Sequence, residues 1–217
     1  MKQNRKFLIL GITGGAGSGK TSVVKKLKEM TELRFLHCDE IAHKLMEPGE
    51  ASYEALVREF GNEILEKESG PISRPKLAAV AMATEESRKR LNELTHPLVR
   101  QAVEQELEQL CREQFRGIAV IEAALLIEAG YKEICDSLWY VHAPLEDRIR
   151  RMKENRDYSE EKIRNILAGQ LSEEQFRAQA DVVLENPDHD DGKESEFLLK
   201  QIASHLKECV ETTGKMW

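Results

Sequence analysis

Eight consecutive residues constrain this chain more than any others: Gly14-Gly15-Ala16-Gly17-Ser18-Gly19-Lys20-Thr21. They match the pattern GxxxxGK[ST]. They lie between an apolar run, Lys6 to Ile12, and a stretch from Gly19 to Met30 that carries Val23, Val24 and Leu27 at helical spacing. Strand, glycine turn and helix in that order make an anion-binding loop. Glycines let the backbone close around a phosphate, including at positive φ. The N–H groups of the turn and of the helix start point at the anion, and the helix dipole favours negative charge there. A lysine ending the turn reaches the outer phosphates of a nucleoside triphosphate, and the hydroxyl after it sits on Mg²⁺. Gly15, Ala16, Gly17, Ser18, Gly19, Lys20, Thr21 and Ser22 are therefore the expected ATP-binding residues, with Thr21 the expected metal contact.

The rest of the chain is expected to build one α/β domain around that loop. Its 217 residues suffice for one core with a helical insertion and are too few for two large domains. Further strands are expected at Arg34 to His37, Ile118 to Glu122, Leu138 to His142 and Ala180 to Leu184. Alternation with helices implies a five-stranded parallel sheet covered on both faces. Residues 45–115 break the strand rhythm and read as a helical insertion. From about residue 39 to 115 the chain is mostly helical, with helices expected at Glu40 to Met46, Ala51 to Phe60, Pro75 to Met82 and Glu85 to Glu93. A fresh helix is then expected to start at Pro97, with Thr95 or His96 as the half-in residue before it. Residues 145–179 carry an arginine-rich helical pair, Leu145 to Asn155 and Ser159 to Gly169, which reads as a lid. A closing helix is expected over Glu194 to Val210. The run from Asp188 to Gly192 (DHDDG) reads as a solvated loop.

Composition narrows the partners. A net charge of −7 disfavours a nucleic-acid binder. The longest apolar runs are strand-length and cannot span a bilayer. Four scattered cysteines form no CxxC pair, which argues against a zinc site or a disulfide framework and fits a reducing cytoplasm. No guanine-reading NKxD element follows the later strands, so a GTPase is disfavoured. A small α/β chain with an arginine-bearing lid fits a kinase of metabolites, because phosphoryl transfer needs charge neutralisation and exclusion of water. Asp39 follows the second strand. It can take the proton of an attacking hydroxyl, or it can cap the helix that starts beside it.

Read in order, the segments GITGGAGSGKTSV, CDEIAHKLMEPG, REFGNEIL, ISRPKL, LNELTHPLVR, EAALLIEAGY, NRDYSEEKI and AGQLSEEQFRAQADVVLEN resemble the dephospho-CoA kinase family across nearly the whole chain. The resemblance implies transfer of the γ-phosphate of ATP to the ribose 3′-hydroxyl of dephospho-coenzyme A. It matches Asp39 to the family's catalytic aspartate, and Arg74 and His96 to acceptor-binding positions. It matches Arg156 to the lid arginine near the γ-phosphate, and Asn186 to a residue near the adenine. The sequence departs from the family pattern at His37, where an aspartate is frequent, at Ala124, where proline is frequent, and in one extra residue between Arg151 and Arg156. Glu122 and Glu128 flank the third strand. Glu122 is either a magnesium-positioning carboxylate or a plain strand end. Two rival readings share the loop: a kinase of another nucleoside or nucleotide, and a nucleotide-binding protein without transfer. The oligomeric state stays open.

Overall fold

The computed structural model describes residues 5–123, 126–127, 129–188 and 194–214, with the side chains of residues 156, 194 and 195 also left aside. Its contacts divide the chain into two compact units, residues 36–112 and the remainder.

The larger unit is built on β1 (Phe7–Thr13), whose seven residues are all buried. A strand so continuously apolar belongs at the centre of a parallel sheet, covered on both faces. The strand β2 (Leu33–His37) begins in this unit. With β3 (Gly117–Glu122), β4 (Ser137–His142) and β5 (Val182–Glu185) it completes a sheet of order β2-β3-β1-β4-β5. The pairs β1–β3, β1–β4 and β4–β5 are parallel. After β1 the chain runs to one edge, returns to β3 and then crosses to β4, so a crevice opens at the carboxyl end of β1, where such sheets bind ligands.

Two aspartates tie strand starts to their neighbours. Asp136 accepts the Ile9 N–H at 2.8 Å and pairs with buried Arg5 at 2.5 Å. Asp181 accepts the Leu138 N–H at 2.8 Å. The core sets Leu8, Leu10, Val120, Trp139 and Leu184 against Val23 and Leu27 of α1 (Lys20–Met30). It continues into Leu198, Ile202 and Leu206 of the last helix of the chain, Glu194–Thr213.

The smaller unit holds α2 (Cys38–Leu45), α3 (Tyr53–Phe60), α4 (Arg74–Ala81) and α5 (Glu85–Arg112). It has its own core of Leu56, Phe60, Ile64, Leu65, Leu77 and Ala81. Between β4 and β5 lie α6 (Leu145–Arg156), α7 (Glu160–Ala168) and α8 (Glu173–Gln179), and the chain closes with α9 (Glu194–Thr213).

Four expectations need correction. Pro97 does not open a new helix; it lies inside one of 28 residues. Thr95, Val99, Val103, Leu107 and Leu110 form one buried face that runs past it. That burial outweighs the hydrogen bond a proline cannot donate. Second, α2 begins at Cys38, with His37 as its N-cap residue, so Asp39 stands in the first turn and is not the N-cap. Third, α8 was not expected. Ser172 and Gln175 form a capping box, and this S-x-x-Q signature is legible in the sequence. Fourth, Asp188 is not a solvated loop residue, because Arg150 and Arg151 both bind it; residues 189–192 of that run lie outside the described residues.

Candidate active site

The loop from Gly14 to Gly19 joins the end of β1 to the start of α1. Its last residue has φ 91°, and a Cβ there would stand 2.1 Å from Nδ2 of Asn186. Only glycine satisfies both the backbone and the space at this turn. Lys20, the first residue of α1, folds back over the loop and donates from Nζ to the Gly14 carbonyl at 2.6 Å and the Gly15 carbonyl at 3.3 Å. The Ser18 N–H bonds the Gly15 carbonyl at 3.2 Å. The Ser18 hydroxyl is buried, and Oγ has no hydrogen-bond partner among the described residues. Leaving such a group unpaired costs roughly 1–3 kcal/mol, so the atom points to a polar ligand or water.

A cleft of about 1040 Å³ opens over this loop, lined by Lys20, Thr21, Glu122, Arg151, Gln170 and Asn186 among others. Asn186 is buried and donates from Nδ2 to the Ser18 carbonyl at 2.8 Å. Arg151 braces the loop from α6. It donates to the Gly17 carbonyl at 3.2 Å, to the Asn186 carbonyl at 2.9 Å and to Asp188 Oδ1 at 2.5 Å. Burial pushes the Asp188 carboxyl up, but the guanidiniums of Arg151 and Arg150 win and hold it below its ordinary range. From the same helix Arg148 donates to the Ala16 carbonyl at 3.0 Å and to Gln170 Oε1 at 2.6 Å.

Beside this bracing, His142 at the end of β4 lies 2.6 Å from Glu185 and 3.2 Å from Glu173. Arg177 bridges the same two carboxylates at 2.7 and 2.9 Å. Phe176 stacks on Tyr140 at 4.8 Å with the rings nearly parallel. These contacts dock α8 onto the sheet. The Glu173 carboxyl is held below its ordinary range chiefly by its hydrogen bond to Arg177. Burial pushes Glu185 up, yet His142 and Arg177 bring it below.

Gly15 to Ser22 and Asn186 thus fall in the larger unit and around one loop. Thr21 and Ser22 line the cleft and are exposed. Asp39, Arg74 and His96 fall in the smaller unit: Asp39 exposed in the first turn of α2, Arg74 exposed at the first position of α4, and His96 half-buried within α5. Arg156 ends α6, and its side chain, like Glu128 and Ala124, lies outside the described residues. Sequence reasoning missed Gln170 and Asp188 and did not separate the roles of Arg148, Arg150 and Arg151. No local motif marks Gln170, whose partner Ala16 is 154 residues away.

A glycine loop with its lysine, set after the central strand of a parallel sheet and opening on a large polar cleft, defines a P-loop nucleotide-binding protein. The family model for dephospho-CoA kinase matches residues 8–191. The chain belongs to the dephospho-CoA kinase family, whose reaction is the last step of coenzyme A biosynthesis. A dephospho-CoA kinase of Corynebacterium diphtheriae is 35% identical over 178 residues, which cover 82% of this chain and 88% of that one. One of Moorella thermoacetica is 37% identical over 146 residues, 67% of this chain and 68% of its own. Among solved structures, a Thermus thermophilus protein has a TM-score of 0.75 at 28% identity, covering 94% of this chain and 98% of that one.

Proposed function

We propose that the cleft holds ATP with magnesium, and that the chain transfers the γ-phosphoryl group to the ribose 3′-hydroxyl of dephospho-coenzyme A. The new bond joins the 3′-oxygen to the γ-phosphorus, the bond from the γ-phosphorus to the β,γ-bridging oxygen breaks, and ADP leaves. The observation that carries the reading is the orphaned Ser18 hydroxyl beside Lys20 at the glycine loop, within a chain of this family.

Gly15, Ala16, Gly17, Ser18, Gly19, Thr21 and Ser22 bind the triphosphate through the loop and the helix start. Lys20 leaves the two carbonyls it now caps and neutralises charge on the β- and γ-phosphates. Asn186 lies on the adenine side. Asp39 takes the 3′-hydroxyl proton as the bond forms. Arg74 and His96 bind the acceptor, residues 45–115 form the acceptor-binding insertion, and residues 145–179 form a lid that brings Arg156 to the migrating phosphoryl group and excludes water.

The oxygen donors along the cleft, the Thr21 hydroxyl and the Glu122 carboxylate, suit magnesium, which takes few protein ligands and keeps phosphate and water oxygens. When bound, the ion offsets the charge of the phosphate oxygens. Among the described residues no helix is long and apolar enough to cross a membrane. Together with the scattered cysteines, this supports a cytoplasmic enzyme.

The test is an assay of the purified chain with dephospho-CoA, ATP and MgCl₂, with coenzyme A and ADP resolved by chromatography. Equimolar coenzyme A and ADP are expected, and a panel of nucleosides and nucleoside monophosphates should give far slower turnover. ADP without coenzyme A would overturn the acceptor.

A further inference from the structure

Arg148 and Gln170 make a closed ring with one residue of the phosphate loop. Arg148 Nε donates to the Ala16 carbonyl at 3.0 Å, and Arg148 Nη2 donates to Gln170 Oε1 at 2.6 Å. The same Oε1 accepts the Ala16 N–H at 3.3 Å. Both polar groups of Ala16 are therefore held by two side chains that come from α6 and from the segment after α7. The seat is tight. A Cβ on Gly15 would lie 2.1 Å from Nη2 of Arg148 and 2.9 Å from Oε1 of Gln170, so any larger residue there would push the ring apart.

Two further facts say what the ring is for. A peptide plane points its C=O and the following N–H in opposite directions. Fixing the Ala16 carbonyl on Arg148 therefore aims the Gly17 N–H away from the arginine, and Gly17 lines the cleft. Among the described residues that N–H has no backbone partner. The second fact is charge. Arg148 is half-buried, and burial pulls its guanidinium pKa down. Yet none of its contacts among the described residues is a carboxylate within ion-pair distance; its acceptors are a carbonyl and an amide. A desolvated cation that feels the Glu173 carboxylate only beyond ion-pair distance is costly, and a nearby anion would relieve it.

We propose that Arg148 is a positioning residue for phosphoryl transfer: with Gln170 it clamps the Ala16 peptide so that the Gly17 amide stands ready for a triphosphate oxygen. The proposal rests on the reading of this cleft as the ATP site. Arg148 acts through the loop and does not line the cleft, whereas Gln170 does.

The test varies ATP and dephospho-CoA separately in steady-state kinetics and measures binding of a non-hydrolysable ATP analogue by calorimetry. Arg148→Ala is expected to raise KM for ATP roughly tenfold, the loss of charge-assisted hydrogen bonds, while KM for dephospho-CoA stays put. Gln170→Ala should move the same constant in the same direction. The double variant should be no worse than Arg148→Ala alone, because the ring fails as a unit. Arg148→Lys keeps the charge but lacks the two-donor fork, so it should resemble Arg148→Ala. Lys200→Ala, an exposed cation on α9 paired with Glu196, should leave both KM values unchanged.

An Arg148→Ala value within twofold of wild type, an equal rise in both KM values, multiplicative single effects, full rescue by lysine or an equal effect of Lys200→Ala would each overturn the clamp. If Arg148→Ala does not fold, Gln170→Ala decides the question alone. Wild-type protein that fails to bind the analogue would instead sink the ATP-site reading. Tight wild-type binding with unchanged Arg148→Ala binding would sink only the clamp.

Discussion

At the scale of single residues, the proposed chemistry divides between a group that holds phosphate and a group that moves a proton, and the two give separable kinetic signatures. Lys20 is tied to the loop carbonyls of Gly14 and Gly15. Lys20→Ala removes the cation proposed for the β- and γ-phosphates. Turnover is expected to fall by about 10²-fold or more, the scale of losing one charge-stabilising group. Calorimetry with an ATP analogue should show weaker binding in the same variant. Undiminished affinity together with full activity would count against the loop as the phosphate site. Asp39 behaves otherwise. It is exposed in the first turn of α2 and is not the N-cap, so Asp39→Asn should fold as the parent does. It is expected to leave analogue binding near normal while cutting turnover roughly 10²-fold or more, the range of general-base contributions. Unchanged turnover would remove Asp39 from the mechanism.

At the scale of elements, what was legible in the sequence is what local rules decide. The run of β1, the glycine turn and the apolar face of α1 are each written in neighbouring residues, and they stand where expected. The proline rule is local as well, and at α5 it misled. Pro97 has no N–H for the Glu93 carbonyl, but the helix is held by a buried face five residues long that only the folded unit reveals. Pro97→Ala is therefore expected to stabilise the protein by roughly 1–3 kcal/mol, seen as a higher urea midpoint at unchanged slope. A lower midpoint would mean that the proline is required by its neighbours. The bracing of the loop was illegible for a different reason. Arg148 and Gln170 meet Ala16 across 132 and 154 residues, and no spacing rule reaches so far.

The docking of α8 makes an element-scale prediction about pH. Glu173 and Glu185 both have carboxyl pKa values lowered in the folded protein. A lowered value means stability that is present above the ordinary glutamate value of 4.5 and lost as pH falls through the folded value. Melting temperatures of the parent and of Arg177→Met should differ near neutral pH and converge near about pH 3. A gap that persists in acid would show that these carboxylates do not hold the helix.

At the scale of the whole molecule, the two compact units carry different halves of the proposed reaction, and ligands should mark them separately. The loop and bracing residues, and Asn186 proposed for the adenine side, belong to the larger unit. Asp39, Arg74 and His96 belong to residues 36–112, which have a core of their own around Leu56, Phe60, Ile64 and Leu77. A ligand that binds only the folded form, at about 100 times its Kd, stabilises what it touches by about 2.7 kcal/mol. In hydrogen exchange, an ATP analogue alone is expected to slow the amides of the Gly14–Thr21 loop, α6 and the Asn186–Asp188 segment. Dephospho-CoA alone should slow amides within residues 36–112, at α2 and α5 first. Because Arg148 and Arg151 tie α6 to loop carbonyls, analogue protection should reach α6 even though that helix is far from the loop in sequence. Dephospho-CoA protection confined to the larger unit would move the acceptor site off residues 36–112, and with it the roles proposed for Asp39, Arg74 and His96.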